Sequence, residues 1–159
     1  HPNLKTFSTL SPIPGFAKWL KEQEETLELS GPAAEAVGLL TAKKVDCAAL
    51  TSLIGNDKEK EDEKTKGVKQ TLLQLCARYL LDAKCKEQVL DRVAHFHLTN
   101  GATVKQINWA ANLSPLGIEQ SAGMMVNYLY DLPSIEKHHE EYRSLGEIAA
   151  TSVVKKMVK

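Results

Sequence analysis

Neither sign of charge prevails in this chain: Lys plus Arg and Asp plus Glu both number 20 in 159 residues. No net field exists to draw the protein onto nucleic acid or an anionic membrane, so neither is expected as a partner; a small anion needs only a local set of donors. Cysteine is scarce and odd in number. Cys47, Cys76 and Cys85 lack the paired spacing of a zinc site or a disulfide scaffold, which predicts a reducing compartment, the cytoplasm. No apolar run reaches the roughly 20 residues of a membrane span, and no basic-then-apolar leader opens the chain. The terminal Met157-Val158-Lys159 is not the peroxisomal Ser-Lys-Leu address. No internal repeat is evident, and a start at His1 rather than Met predicts a processed or partial product.

What is present is the composition of a soluble globular protein, 43% apolar and 25% charged, enough for one ordinary domain. Residues 4–10 alternate loosely among apolar, β-branched and polar types and stop at Ser11-Pro12-Ile13-Pro14-Gly15, which predicts a short strand entering a turn. Phe16, Trp19 and Leu20 then fall at helical spacing, with two short helical segments expected near 32–40 and 45–54. The mixed-sign run at 57–64, flanked by glycines, predicts a mobile charged linker over 55–67. Leu72, Leu75, Cys76, Tyr79 and Leu80 mark a helix over Val68 to Ala83, and Leu90, Val93, Ala94 and His97 a second from about Glu87 to Thr99, closed by Asn100-Gly101. Strands follow at 102–109, with Val104, Gln106 and Asn108 on one side, and at 124–130. Ser144 and Glu147 stand at capping-box spacing ahead of a last helix over 148–157.

On pattern alone, each chemically capable residue keeps a structural reading beside a functional one. His97, on an apolar helix face, is either a satisfied core histidine or a general acid or base tuned by burial. Ser11 is either the N-cap of the next helix or a hydroxyl at the end of a sheet strand, where α/β folds build their sites. Tyr128 and Tyr130 share a strand face, as core or as rim. His95 pairs with His97 only if the segment is a strand, and no further ligand stands nearby, so no metal is expected. His138-His139 reads as a solvated helix face.

In order along the chain, Ser11-Pro12-Ile13-Pro14-Gly15-Phe16 with Trp19-Leu20, Cys76-Ala77-Arg78-Tyr79-Leu80, Phe96-His97-Leu98-Thr99-Asn100-Gly101-Ala102, Ile107-Asn108-Trp109, Ser114 with Gly117, Ser121 with Gly123, and Met125-Val126-Asn127-Tyr128-Leu129-Tyr130 resemble the malonyl-CoA decarboxylase family over about 120 residues, with little of the match in 21–70. The resemblance implies an α/β (helix-rich α+β) fold, the C-terminal half of an acetyltransferase-like domain. In it residues 16–85 form a helical insertion, 86–132 a helix and closing strands, and 133–159 C-terminal helices. It implies Ser11, His97 and Tyr130 as catalytic residues and Ser11, His97 and Asn127 as substrate-binding residues. Asn112 stands where the family has Asp two residues before the Ser of Asp-x-Ser.

The reaction so implied is decarboxylation of malonyl-CoA to acetyl-CoA. The thioester carbonyl receives the electrons left by carbon dioxide, so no cofactor is expected beyond the coenzyme A of the substrate itself. The sequence has no Gly-x-Gly pyrophosphate loop. The resemblance puts that loop in an upstream part of the protein, with a further acidic residue and a helical domain that makes homo-oligomers; this part alone is expected to be inactive. Two other readings stay open: a Ser11-dependent acyl hydrolase or acyltransferase, which would lack the Gly-x-Ser-x-Gly elbow, and a non-catalytic acyl-CoA-binding module.

Overall fold

The two prolines of the Ser-Pro-Ile-Pro turn decide how the chain leaves its first strand, because neither can donate to a sheet ladder. In the computed structural model, which describes residues 3–55 and 62–158, strand β1 (Thr6–Ser11) ends immediately before Pro12. It runs antiparallel to β5 (Met125–Asp131), with Phe7 opposite Tyr130, Thr9 opposite Tyr128 and Ser11 opposite Val126. On the far side of β5 lies β4 (Thr103–Asn108), also antiparallel, so β5 is central in the order β1-β5-β4. Along β5 the buried residues Val126, Tyr128 and Tyr130 alternate with half-buried Asn127 and Leu129. This strand therefore presents one apolar face and one mixed face.

Between β1 and the rest of the sheet comes a helical cluster: α1 (Phe16–Gln23), α2 (Gly31–Thr41), α3 (Cys47–Ile54) and α4 (Glu63–Leu81). Its core is apolar. Val68, Leu72, Leu75 and Leu80 of α4 are buried with Ala36, Val37 and Leu40 of α2 and Leu50, Leu53 and Ile54 of α3. Asp46 and Asp62 cap α3 and α4 by accepting from Ala49 N–H and Thr65 N–H, which satisfies donors that a helix start leaves free. A two-residue turn joins β2 (Lys84–Cys85) to β3 (Gln88–Val89). Then α5 (Arg92–Thr99) crosses the apolar face of the sheet, α6 (Pro115–Ser121) bridges β4 to β5, and α7 (Ile135–Leu145) and α8 (Ser152–Val158) close the chain. The fold is mixed helix and sheet, as expected.

Four boundaries depart from the sequence reading. Residues 56–61, at the heart of the expected linker, lie outside the described residues, but its end at 63–67 is helical: with Asp62 as N-cap, α4 starts at Glu63, five residues earlier than Val68. The second helix begins at Arg92, not Glu87, because Lys86 and Glu87 both take positive φ (51° and 65°) and turn the chain as a β-hairpin. In β4 the simple alternation fails: Val104 faces Tyr128 while Gln106 faces Asn127, so Lys105 is a bulge residue and Ile107 joins Val104 on the buried side. Ser144 is no cap but lies in the last turn of α7, which ends at left-handed Gly146 (φ 67°). The chain then runs extended beside β4, where Val104 N–H donates to Ala149 O (2.8 Å) and Thr151 N–H to Val104 O (3.0 Å), before α8 starts at Ser152.

Candidate active site

Residues from three separated segments meet on the apolar face of the sheet. The strand register puts Phe7, Thr9 and Ser11 of β1 on the side of Tyr128 and Tyr130, and α5 lowers His97 onto the same side. The ring of His97 stacks on Tyr128, centroids 4.3 Å apart and 18° between planes. Its Nε2 lies 3.1 Å from Ser11 Oγ and its Nδ1 2.6 Å from Tyr130 Oη. Ser11 Oγ is in turn 3.1 Å from Thr9 Oγ1, and Phe7 stacks on the Tyr130 ring at 4.8 Å. Ser11, His97 and Tyr130 are all more than nine-tenths buried.

Burial lowers the pKa of His97 from its usual 6.5 and raises those of Tyr130 and Tyr128. The imidazole is thus neutral and both phenols keep their protons at neutral pH. Both ring nitrogens of His97 face hydroxyls, and because a phenol is a stronger donor than an alkyl hydroxyl and its contact is the shorter, we assign Tyr130 as donor to Nδ1, which leaves the ring proton on Nε2 facing Ser11. The run of bonds then reads Tyr130 to His97 to Ser11 to Thr9. In this tautomer Ser11 receives a hydrogen bond from the imidazole rather than surrendering its proton to it.

The structure brings together Ser11, His97 and Tyr130, and the N-cap reading of Ser11 is excluded: α1 starts at Phe16 after Gly15, and Ser11 caps nothing. Asn127 is not brought to this cluster. It occupies the opposite face of β5, where its amide donates to Thr9 O (3.1 Å) and accepts from Asn108 Nδ2 (2.8 Å). His95 is turned away, its Nδ1 2.7 Å from Tyr142 Oη; His139 is exposed, as expected of a solvated face, while its Nδ1 meets the Thr99 carbonyl, and His138 is half-buried against Thr103. Asn112 accepts from Ser114 N–H, and Ser114 caps α6 by accepting from Gly117 N–H.

A family model described as the malonyl-CoA decarboxylase C-terminal domain matches residues 1–159. The chain belongs to this family. Its relatives include the mitochondrial malonyl-CoA decarboxylase of Anser anser anser, 34% identical over 161 residues, which cover 96% of this chain and 32% of that protein. The Mus musculus protein is 33% identical over 165 residues, 99% of this chain and 34% of its own. Among solved structures, the malonyl-CoA decarboxylase from Rhodopseudomonas palustris superposes with a TM-score of 0.76 at 41% identity, covering 99% of this chain and 34% of that one. The one from Agrobacterium vitis gives 0.77 at 35%, covering 99% and 37%. The chain spans about a third of the length of these relatives.

One residue of this malonyl-CoA decarboxylase family member escapes the sequence reading. Asp91, 1% exposed, is the N-cap of α5. Its position just before the apolar stripe of α5 is an N-cap signal, masked by the expectation that the helix starts at Glu87. Its longer-range bonds to Gly15 and Tyr79 have no local signature.

Proposed function

We propose that this chain carries the proton-delivering part of a malonyl-CoA decarboxylase site, converting malonyl-CoA to acetyl-CoA and carbon dioxide, with Ser11, His97 and Tyr130 as its catalytic residues. The observation that carries the reading is the continuous Tyr130–His97–Ser11 set of contacts, 2.6 Å and 3.1 Å long, around a buried imidazole whose pKa burial lowers. Loss of carbon dioxide breaks the bond between the malonyl carboxylate and the α-carbon, and its electron pair passes into the thioester carbonyl as an enolate. A donor must then stabilise that oxyanion and a proton must reach the carbon.

Before substrate binds, His97 is neutral at neutral pH, because burial lowers its pKa. A malonyl carboxylate arriving within about 4–6 Å favours the charged imidazole, so His97 takes up a proton as substrate binds. Ser11 then donates to the carboxylate, and the imidazolium returns its proton to the α-carbon once carbon dioxide departs, restoring neutral His97. As an imidazolium it donates from both nitrogens, and Tyr130 turns its hydroxyl away to accept from Nδ1. No cofactor enters this scheme. In the tautomer assigned above, Nε2 is not the acceptor that a nucleophilic Ser11 would need, so the decarboxylase and acyl-enzyme readings call for opposite ring protonation.

The rest of the site, the coenzyme A grip and the acetyltransferase-like half sheet belong in this reading to the upstream two-thirds that the relatives possess, as does homo-oligomer formation. The order β1-β5-β4 leaves β1 as an edge strand, with Leu4, Phe7 and Leu10 exposed, a place where further strands would seat. Cytoplasmic residence is drawn from the unpaired Cys47, Cys76 and Cys85; the vertebrate relatives are named mitochondrial. Among the described residues no helix is long and apolar enough to cross a membrane.

The test joins this chain to the upstream segment of the Rhodopseudomonas palustris relative and follows carbon dioxide release from malonyl-CoA. Turnover by the chimera, none by the 159 residues alone, and no labelling of Ser11 by a fluorophosphonate are the expected results. A chimera that binds malonyl-CoA without releasing carbon dioxide, or stoichiometric labelling of Ser11, would overturn the reading.

A further inference from the structure

Ser11 and His97 lie 86 positions apart in sequence and touch through a single hydrogen bond. Something must hold β1 and α5 at the separation which that bond requires, because one contact between neutral groups, worth about 1 kcal/mol net, does not fix two backbones. The carboxylate of Asp91 meets this need from below the site. Oδ1 accepts from Val93 N–H and Ala94 N–H, both at 3.0 Å, and so caps the helix that bears His97. Oδ2 accepts from Gly15 N–H (3.3 Å), four residues beyond Ser11, and from the hydroxyl of Tyr79 on α4 (3.1 Å).

This is an expensive arrangement for a helix cap. A buried carboxylate requires full satisfaction, and Asp91 makes no ion pair among the described residues; four N–H and O–H donors surround it instead. An exposed Asp, like Asp62 on α4, caps a helix without that cost. The turn is also built to reach it: a Cβ on Gly15 would stand 2.1 Å from the Tyr79 oxygen, so only glycine lets the backbone approach. Tyr128 closes the gap to the site. Its ring lies under His97, and its hydroxyl, buried and without a hydrogen-bond partner, lies within the field of the Asp91 charge.

We propose that Asp91 is a positioning residue: by tying the Gly15 turn, Tyr79 and the first turn of α5 to one carboxylate, it fixes the Ser11–His97 contact and the tautomer of His97. The geometric part stands independently; its effect on turnover rests on the decarboxylase reading above. Asp91 touches neither His97 nor Ser11 and acts on them through two backbones.

The test is Asp91→Asn in the 159-residue chain, read by the ring 15N shifts of His97. Asparagine keeps the side-chain volume and the Oδ1 cap, but it sets a donor against the Gly15 N–H. The wild type should show one tautomer, protonated on Nε2. Asp91→Asn should shift His97 to a mixture of tautomers, and Tyr79→Phe, which keeps the charge and removes one donor, should move the shifts the same way but less. In the chimera kcat should fall about tenfold with KM within about twofold, as a misplaced catalytic group predicts, and Asp91→Glu should restore part of it. A merely structural cap would lower Tm and leave the His97 shifts at wild-type values in both variants; that result overturns the proposal. The ring shifts are read without substrate, so an inactive wild-type chimera would count against the decarboxylase reading, while the spectra alone would still decide the role of Asp91.

Discussion

The helical cluster α1–α4 and the sheet with α5 are both well buried, yet they bury different chemistry. Inside the cluster the core is mostly aliphatic, joined by Phe16, Cys76 and the ring of Tyr79 at the side that faces Asp91, and Thr41 is the buried hydrophilic residue, its hydroxyl donating to its own helix at Val37 O. Against the sheet the buried set includes Ser11, Asp91, His97 and Ser121, with three tyrosines close by. A polar group under an apolar layer gives no net stability beyond a modest hydrogen bond and costs about 1–3 kcal/mol if left unpaired. A fold selected only to persist would fill the second region as it fills the first. The contrast therefore separates residues kept for packing from residues kept for chemistry, and it can be tested from both sides.

The largest effect should come from His97→Asn. In the chimera it should lower malonyl-CoA turnover by about 10²–10⁴-fold, the usual worth of a positioned acid–base group, with coenzyme A affinity nearly intact; turnover at the wild-type level would remove His97 from the mechanism. Leu72→Ala, which empties a fully buried position in α4, should cost about 2–5 kcal/mol in chemical denaturation and leave the His97 ring shifts unmoved. If those shifts follow, the two regions are one mechanical unit and the contrast fails. Ser11→Ala comes next: stripping the partner from Nε2 should destabilise the fold by about 1–3 kcal/mol, and kcat should fall more than KM rises.

The smallest effect is a matter of pH. The folded pKa of His97 lies below the 6.5 of a free histidine, so the unfolded chain takes up its proton first as pH falls. Stability should decline with falling pH from about 6.5 down to the folded pKa and then level off. Melting curves of wild type against His97→Asn should show that decline shrink in the variant. Equal slopes would mean that other groups carry it.

The candidate cluster is legible in the sequence only because two different signals converge. Helical spacing places His97 on a buried face, and the ordered motifs tie it to Ser11 and Tyr130, which local pattern alone cannot do for residues 86 and 33 positions away. Where the sequence reading fails, the deciding interaction is long-range or conformational. The positive φ of Lys86 and Glu87 has no signature in a Lys-Glu pair, which lacks the Asn-Gly chemistry of such turns. The Lys105 bulge depends on the register with β5, and the extended run at 149–151 exists because β4 offers it partners. The family motif assigns Asn127 to the site, and strand alternation sends it to the other face.

That extended run also has a consequence for assembly. Ala149 and Thr151 take up both outward backbone groups of Val104, so the run covers the start of the β4 rim, whereas among the described residues no strand pairs with the outer side of β1. The two rims are therefore unequal as templates for strand addition. Two free copies would meet more readily rim to rim through β1, the two-fold contact that closes on itself as a pair.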